Sequence, residues 1–125
     1  MRPPIDQAIA FYPTNKLQET RQFYEETVGL RVVVDQGDCV ILEVCPNAYI
    51  GFCRNDNPPG EDHRIVFTLV SNEVDAWHER LSQAGAEILF PPKDNPKYRI
   101  YNFFAKDPNG YLLEIQRFWD DNWRE

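Results

Sequence analysis

Residues Ile100 to Gln116 read IYNFFAKDPNGYLLEIQ, and this stretch decides the fold. Two apolar, aromatic-rich runs flank Asp107-Pro108-Asn109-Gly110. Asp-Pro initiates a tight turn, and Asn-Gly supplies the positive φ that closes it, so the runs read as a β-hairpin. The second run carries Glu114 between Leu113 and Ile115. A carboxylate in an apolar strand either faces water or faces inward for a purpose, because burying an unpaired charge is very costly.

Working outward, the rest of the chain repeats one unit. Ala8 to Tyr12 reads as a strand. Asn15 is placed to cap a helix, with Gln18 three residues on as in a capping box. Leu17, Phe23, Tyr24 and Val28 form its apolar stripe, and Gly29 ends it. Leu30 to Asp35, Cys39 to Cys45 and Tyr49 to Cys53 follow as strands, with turns at Gln36-Gly37-Asp38 and Pro46-Asn47. The second half begins with a strand from Ile65 to Val70. A helix capped by Ser71 or Asn72 follows, with Val74, Trp77 and Leu81 on its apolar face and Gly85 at its end. Ala86 to Phe90, Arg99 to Lys106 and Tyr111 to Arg117 complete the set. The expected organisation is a single α+β domain of two βαβββ modules, 5–53 and 63–117, with a polar linker 54–62 and a tail 118–125. One module alone leaves sheet edges and an apolar face unburied. Two can pair into a curved mixed sheet around a cleft, with the helices outside and the halves related by a pseudo-twofold axis. A generic α+β sandwich with chance similarity between halves is the alternative.

Composition narrows the function classes. A chain of 125 residues suffices for one real core. A net charge of −7 argues against nucleic acid or an anionic membrane as the main partner, since both require clustered Lys and Arg. No apolar run nears the roughly 18 residues of a spanning helix, and MRPPIDQ lacks the apolar core of a signal peptide, so a cytoplasmic protein is expected. Cys39, Cys45 and Cys53 form no C-x-x-C pair and suggest no disulfide framework or zinc ribbon. They read as small, half-buried residues on adjacent strands in a reducing compartment, with a soft-metal site or reactive thiol as the alternative.

Leu17 to Tyr24 running on to Gly29-Leu30, Val74-Asp75-Ala76-Trp77 with Leu81 and Gly85, and Asp107 to Tyr111 with Glu114 together resemble the vicinal oxygen chelate superfamily. That superfamily includes glyoxalase I, bleomycin and fosfomycin resistance proteins and extradiol dioxygenases. The resemblance covers nearly the whole chain. It implies the paired-module fold and a homodimer, but no one activity, because this fold hosts several chemistries. In metal-dependent members, ligands come from the first and a later strand of each half, and the counterpart of Glu114 is often one of them. Here the other matching positions fall on Ile9, near Gly51, and on Ile65 or Val66. Apolar residues coordinate no divalent cation, so no cofactor is expected. The alternative is one divalent metal ion on a displaced set: Gln7 and His63 lie two residues before Ile9 and Ile65 and would share their faces, joining Glu114. Against it, His63 beside Glu61 and Asp62 reads as an exposed residue after an acidic loop. His78 is expected on the outside of the second helix, without a role.

Two function classes follow. One is a metal-independent binder of a small organic molecule in an aromatic-lined cleft. The other is a lyase, isomerase or dioxygenase of the same superfamily, with or without metal; a third reading is a dimeric scaffold with a vestigial pocket. The ligand-binding candidates are Tyr49, Tyr98 and Tyr101, whose phenols suit an apolar ligand with polar groups, together with Asn102 and Arg99. Arg99 would meet a ligand carboxylate or phosphate, Glu114 itself, or solvent. Glu114 is the catalytic candidate, as a general base in an apolar pocket. Trp119 and Trp123 in the tail suggest docking at a dimer interface or over the cleft.

Overall fold

The structure is a computed structural model, and it describes residues 1–119 and 123. The chain parts into two compact units that meet in sequence at Pro59 and Gly60, inside the expected linker. Each unit holds a four-stranded mixed sheet and one helical segment. The repeat of element order expected from the sequence is therefore present.

In the first module, β1 (Ala8–Thr14) pairs parallel with β4 (Ala48–Arg54). Antiparallel pairing joins β4 to β3 (Cys39–Cys45) and β3 to β2 (Arg31–Asp35), giving the order β1-β4-β3-β2. Helix α1 (Leu17–Gln22) runs on as π-helical turns over Phe23–Val28. Leu17, Thr20, Tyr24 and Val28 are buried at spacings of three and four, so one stripe faces the sheet. It packs on β4, where Ile50 and Phe52 are fully buried, and Tyr24 stacks on Phe52 at 4.8 Å. Gly29 ends the helix at φ 95°, as its C′ role requires. The expected Asn15 cap is not used. The N-cap position falls on Lys16, whose N–H donates to the Thr14 hydroxyl at 2.9 Å. Thr14 is fully buried and Asn15 is exposed, and the helix begins two residues past Asn15, at Leu17.

The cysteine expectation is overturned. Cys39 and Cys53 are direct register partners on β3 and β4, and they are joined as a disulfide. Cys45 is free and exposed. Spacing along the chain hid this pairing; strand register creates it.

In the second module, β5 (Val66–Val70) pairs parallel with β8 (Leu112–Phe118). β8 pairs antiparallel with β7 (Ile100–Lys106), and β7 with β6 (Glu87–Asn95). Helix α2 (Val74–Gln83) lies on one face of this sheet. Val74 and Leu81 are buried there with Phe103, Ala105, Leu113 and Ile115. His78 is not outside: its ring stands edge-on to Phe103 at 5.2 Å. The N-cap position is Glu73, whose N–H donates to the Ser71 hydroxyl at 3.1 Å.

The deciding hairpin closes as its sequence directs, with one refinement. The Asp107 carboxylate accepts the N–H groups of Asn109 at 2.8 Å and Tyr111 at 3.0 Å. The positive φ belongs to Gly110 alone, at 82°. Glu61, at the start of the second unit, packs directly over Gly110, where an added Cβ would come within 2.8 Å of it. Among the described residues, no helix is long and apolar enough to cross a membrane.

Candidate functional site

Strand alternation sorts the second sheet into two faces. Phe103, Ala105, Leu113 and Ile115 turn toward α2, and the residues between them turn away. Register then fixes rows on the open face. One row reads Thr68, Glu114, Phe104 and Phe90; the next reads Val70, Gln116, Asn102 and Lys93. Glu114 thus sits mid-sheet on the face opposite the helix, half-buried between Thr68 and Phe104.

Both oxygens of Glu114 are held. The Thr68 hydroxyl donates to Oε1 at 2.7 Å, and the Asn102 amide donates to Oε2 at 2.9 Å. Thr68 is the direct partner of Glu114 on the parallel strand, whereas Asn102 reaches it diagonally from β7. Asn102 is 4% exposed, and its Oδ1 has no hydrogen-bond partner. A buried acceptor without a donor costs about 1–3 kcal/mol. Phe90 and Phe104 meet edge to face at 5.4 Å beside this pair, and the Lys93 ammonium lies 4.5 Å from the Phe90 centroid. Val66 and Val70, at 37% and 48% exposure, extend the apolar surface along β5.

Of the residues singled out from sequence, the structure brings Asn102 to Glu114. The others lie elsewhere. Tyr101 is on the helix side of β7, where its hydroxyl donates to Asp75 of α2 at 2.6 Å. That bond holds the phenol proton and raises its pKa above the ordinary value. Tyr98 and Arg99 are in the β6–β7 turn, not in the strand. Tyr98 is 61% exposed, and Arg99 adopts φ 54° while its carbonyl accepts the Trp119 N–H. Arg99 is therefore no partner of Glu114 in strand register. Tyr49 belongs to the first module, on the face of β4 opposite α1, and its phenol accepts the Gln7 amide at 3.1 Å.

His63 precedes β5 in a turn and hydrogen-bonds Glu61 at 3.1 Å. It lacks the strand placement that the Gln7, His63 and Glu114 set requires. Glu61 also holds the Lys106 ammonium, and these contacts lower its pKa, the Lys106 hydrogen bond most. The first-module positions corresponding to ligands are closed by carbon. The Phe11 ring lies over Gly51, where an added Cβ would be 2.5 Å from it, and Ile9 is an exposed apolar side chain. Among the described residues, no group of three His, Cys, Asp or Glu gathers as a metal set would. In the tail, the Trp119 indole donates to Asp94 at 2.9 Å with Arg117 over its ring, and Trp123 stacks on Phe118. Residues 120–122, 124 and 125 lie outside the described residues, so the docking expected of the tail is only partly described.

Thr68 was missed from sequence, as were Phe90 and Phe104 as site residues. Thr68 carried a usable signal: it is the one polar residue inside Val66–Val70, as Glu114 is inside its own run. Phe90 and Phe104 carried none, since their join with Glu114 is a matter of register.

Residues 5–115 match the profile described as Glyoxalase/Bleomycin resistance protein/Dioxygenase superfamily. A metallothiol transferase FosB of Shouchella clausii is 26% identical over 111 residues, spanning 89% of this chain and 70% of that protein. A glyoxalase/bleomycin resistance protein/dioxygenase from Nocardioides superposes with a TM-score of 0.78 over 100% of this chain and 90% of its own, at 17% identity. A lactoylglutathione lyase from Agrobacterium tumefaciens gives 0.74 over 93% and 96%, at 20% identity.

Proposed function

The chain belongs to the glyoxalase/bleomycin resistance protein/dioxygenase superfamily, and from that premise we propose that it binds a small organic molecule on the open face of its second module without a divalent metal. Glu114 is the polar anchor, Asn102 and Thr68 hold it in place, and Phe90 and Phe104 supply apolar contact. The observation that carries the reading is the unpartnered, buried Oδ1 of Asn102 beside an already oriented carboxylate. A divalent ion does not fit this donor set. Mg, Mn, Fe or Zn sites draw on several charged or imidazole donors. Here Glu114 has a hydroxyl and an amide beside it, while Ile9, Gly51 and Val66 offer carbon or hydrogen at the related positions. Surrounding groups tune a metal but do not substitute for its ligands.

The experiment is a melting-temperature screen of small organic molecules with elemental analysis of the same preparation. A ligand that prefers the native state raises the apparent stability. The reading expects such shifts in metal-stripped protein, diminished in Glu114→Gln. About one Fe, Mn, Ni or Zn per chain, lost on Glu114→Ala, would overturn it. Should any hit be turned over, Glu114→Gln separates an anchor from a base: loss of binding marks an anchor, and loss of turnover with binding kept marks a base.

A further inference from the structure

We infer that the group seated at Glu114 and Asn102 is a cationic nitrogen, an ammonium or amidinium carried on an apolar body. The inference rests on the proposed binding role of this face and names the class of ligand. Three acceptor oxygens belong to this pair: Oε1 and Oε2 of the half-buried Glu114, and the buried, unpartnered Oδ1 of Asn102, whose amide nitrogen holds Oε2. An ionised carboxylate offers about four acceptor positions, and Thr68 and Asn102 take one each. Both neighbours are neutral and spend a donor on Glu114. Among the described residues, no Lys, Arg or His forms an ion pair with Glu114, although the chain's other carboxylates make seven such contacts. What remains is acceptor capacity and one negative charge that no described residue pairs, on a face that also carries Phe90, Phe104, Val66 and Val70.

A ligand group complementary to this surface brings donors and positive charge, and brings no acceptor. An ammonium has three donors and no acceptor; an amidinium presents its donors in a plane. An alcohol donates one proton but sets its own lone pairs among acceptors. A carboxylate or phosphate meets like charge. The aromatic pair adds to the fit, because the face of a ring attracts cations, and Phe90 already holds the Lys93 ammonium in that way. Lys93 is the direct register partner of Asn102, so it also supplies a test of sign. It is an exposed side chain that repels a cationic ligand and attracts an anionic one.

The test is calorimetric titration of the full chain at neutral pH with three matched probes: phenethylammonium, 2-phenylethanol and phenylacetate. The expected order is phenethylammonium tighter than 2-phenylethanol by about tenfold or more, the scale of a charge-assisted hydrogen bond, with phenylacetate weakest. Glu114→Gln should bring the amine down to the alcohol. Lys93→Met should tighten the amine, a gain that a merely misfolded variant cannot give. The side-chain amide resonances of Asn102 should move when the amine is added. If the alcohol binds as well as the amine, or if phenylacetate binds best and is weakened by Lys93→Met, the cationic class is wrong while the site stands. If no probe of any charge moves the Asn102 resonances, both the class and the site fail. Stoichiometric uptake of Mn, Fe, Ni or Zn offered alone, abolished by Glu114→Gln, would overturn the metal-free reading instead.

Discussion

Asn102→Leu should remove ligand binding and leave the fold nearly as stable as before. Leucine repeats the branch of asparagine at Cγ, so the shape at this buried position is roughly kept. Two terms decide the sign. The bond from Asn102 to the Glu114 carboxylate, 2.9 Å long, is lost, at about 1.5–3 kcal/mol for a hydrogen bond to a charged group. The unpartnered Oδ1 is lost too, which relieves about 1–3 kcal/mol of desolvation cost. These offset to within about 1 kcal/mol, or about 5 °C in Tm for a domain of this size. Glu114 keeps Thr68 and is half-exposed to water, so its charge is not stranded. Phe103→Ala, one residue along and fully buried against α2, is the reference for a core loss and should cost about 3–5 kcal/mol. Urea unfolding of both variants, followed by circular dichroism, gives the comparison. Were Asn102→Leu to cost as much as Phe103→Ala, Oδ1 would be satisfied in the native protein and Asn102 would be a structural residue.

Other outcomes follow from the same geometry. Gly85→Ala and Gly110→Ala both force an L-residue to positive φ, at about 1–2 kcal/mol each, but only Gly110 meets Glu61, so urea unfolding should show Gly110→Ala clearly the worse. Reducing the Cys39–Cys53 disulfide, which spans 14 residues, should lower the Tm by the equivalent of about 3 kcal/mol, and Cys39→Ser should show no further effect of reductant. Asp62 is held at a pKa of about 2, chiefly by the Arg64 side chain and then by its backbone N–H. A lowered pKa contributes stability above the ordinary 3.8 that is lost as pH falls through about 2, so an NMR titration should find that midpoint and Arg64→Gln should return it upward. Sedimentation at micromolar concentration should show a homodimer, and a purely monomeric profile would refute the assembly expected of this family.

What was legible in the sequence was whatever local chemistry alone decides. Gly29, Gly85 and Gly110 end their helices and turn at positive φ, as their positions in the pattern announce. The alternation along IYNFFAK and LLEIQ marks Glu114 as the exception on its strand, and the strand exists as read. Illegible were the facts that depend on which strand lies beside which. Cys39 and Cys53 are a pair only because β3 and β4 set them opposite. Tyr101 and Asn102 are adjacent in sequence, yet a strand turns them to opposite faces, and only the position of α2 tells which face is open. The caps failed for a related reason: the first helix starts at Leu17 rather than after Asn15, and the buried Thr14 at the end of β1 accepts the Lys16 N–H, a tertiary fact.

The repeat itself localises the chemistry. Both modules place a first strand parallel to a last strand, and both leave one sheet face without a helix. On the open face of the first module, the β1–β4 pair is Phe11 beside Gly51, an aromatic ring laid over bare backbone. On the open face of the second, the β5–β8 pair is Thr68 beside Glu114, a hydroxyl donating to a carboxylate. The frame is the same and the side chains are of opposite character. If the fold alone required a polar group on this face, Phe11 and Gly51 would be an error in the first module. If both faces served only as core, Glu114 would be an error in the second, since an apolar residue there would remove a half-buried charge with no cationic partner among the described residues. The proposed reading fits this contrast: the repeat sets the scaffold twice, and the binding role proposed above falls to one half. Exchanging the pair, with Thr68→Phe and Glu114→Gly made together, should therefore yield a folded protein that binds no probe, which far-UV circular dichroism and calorimetry would show. Retention of probe binding by that double variant would place the site somewhere other than on Glu114.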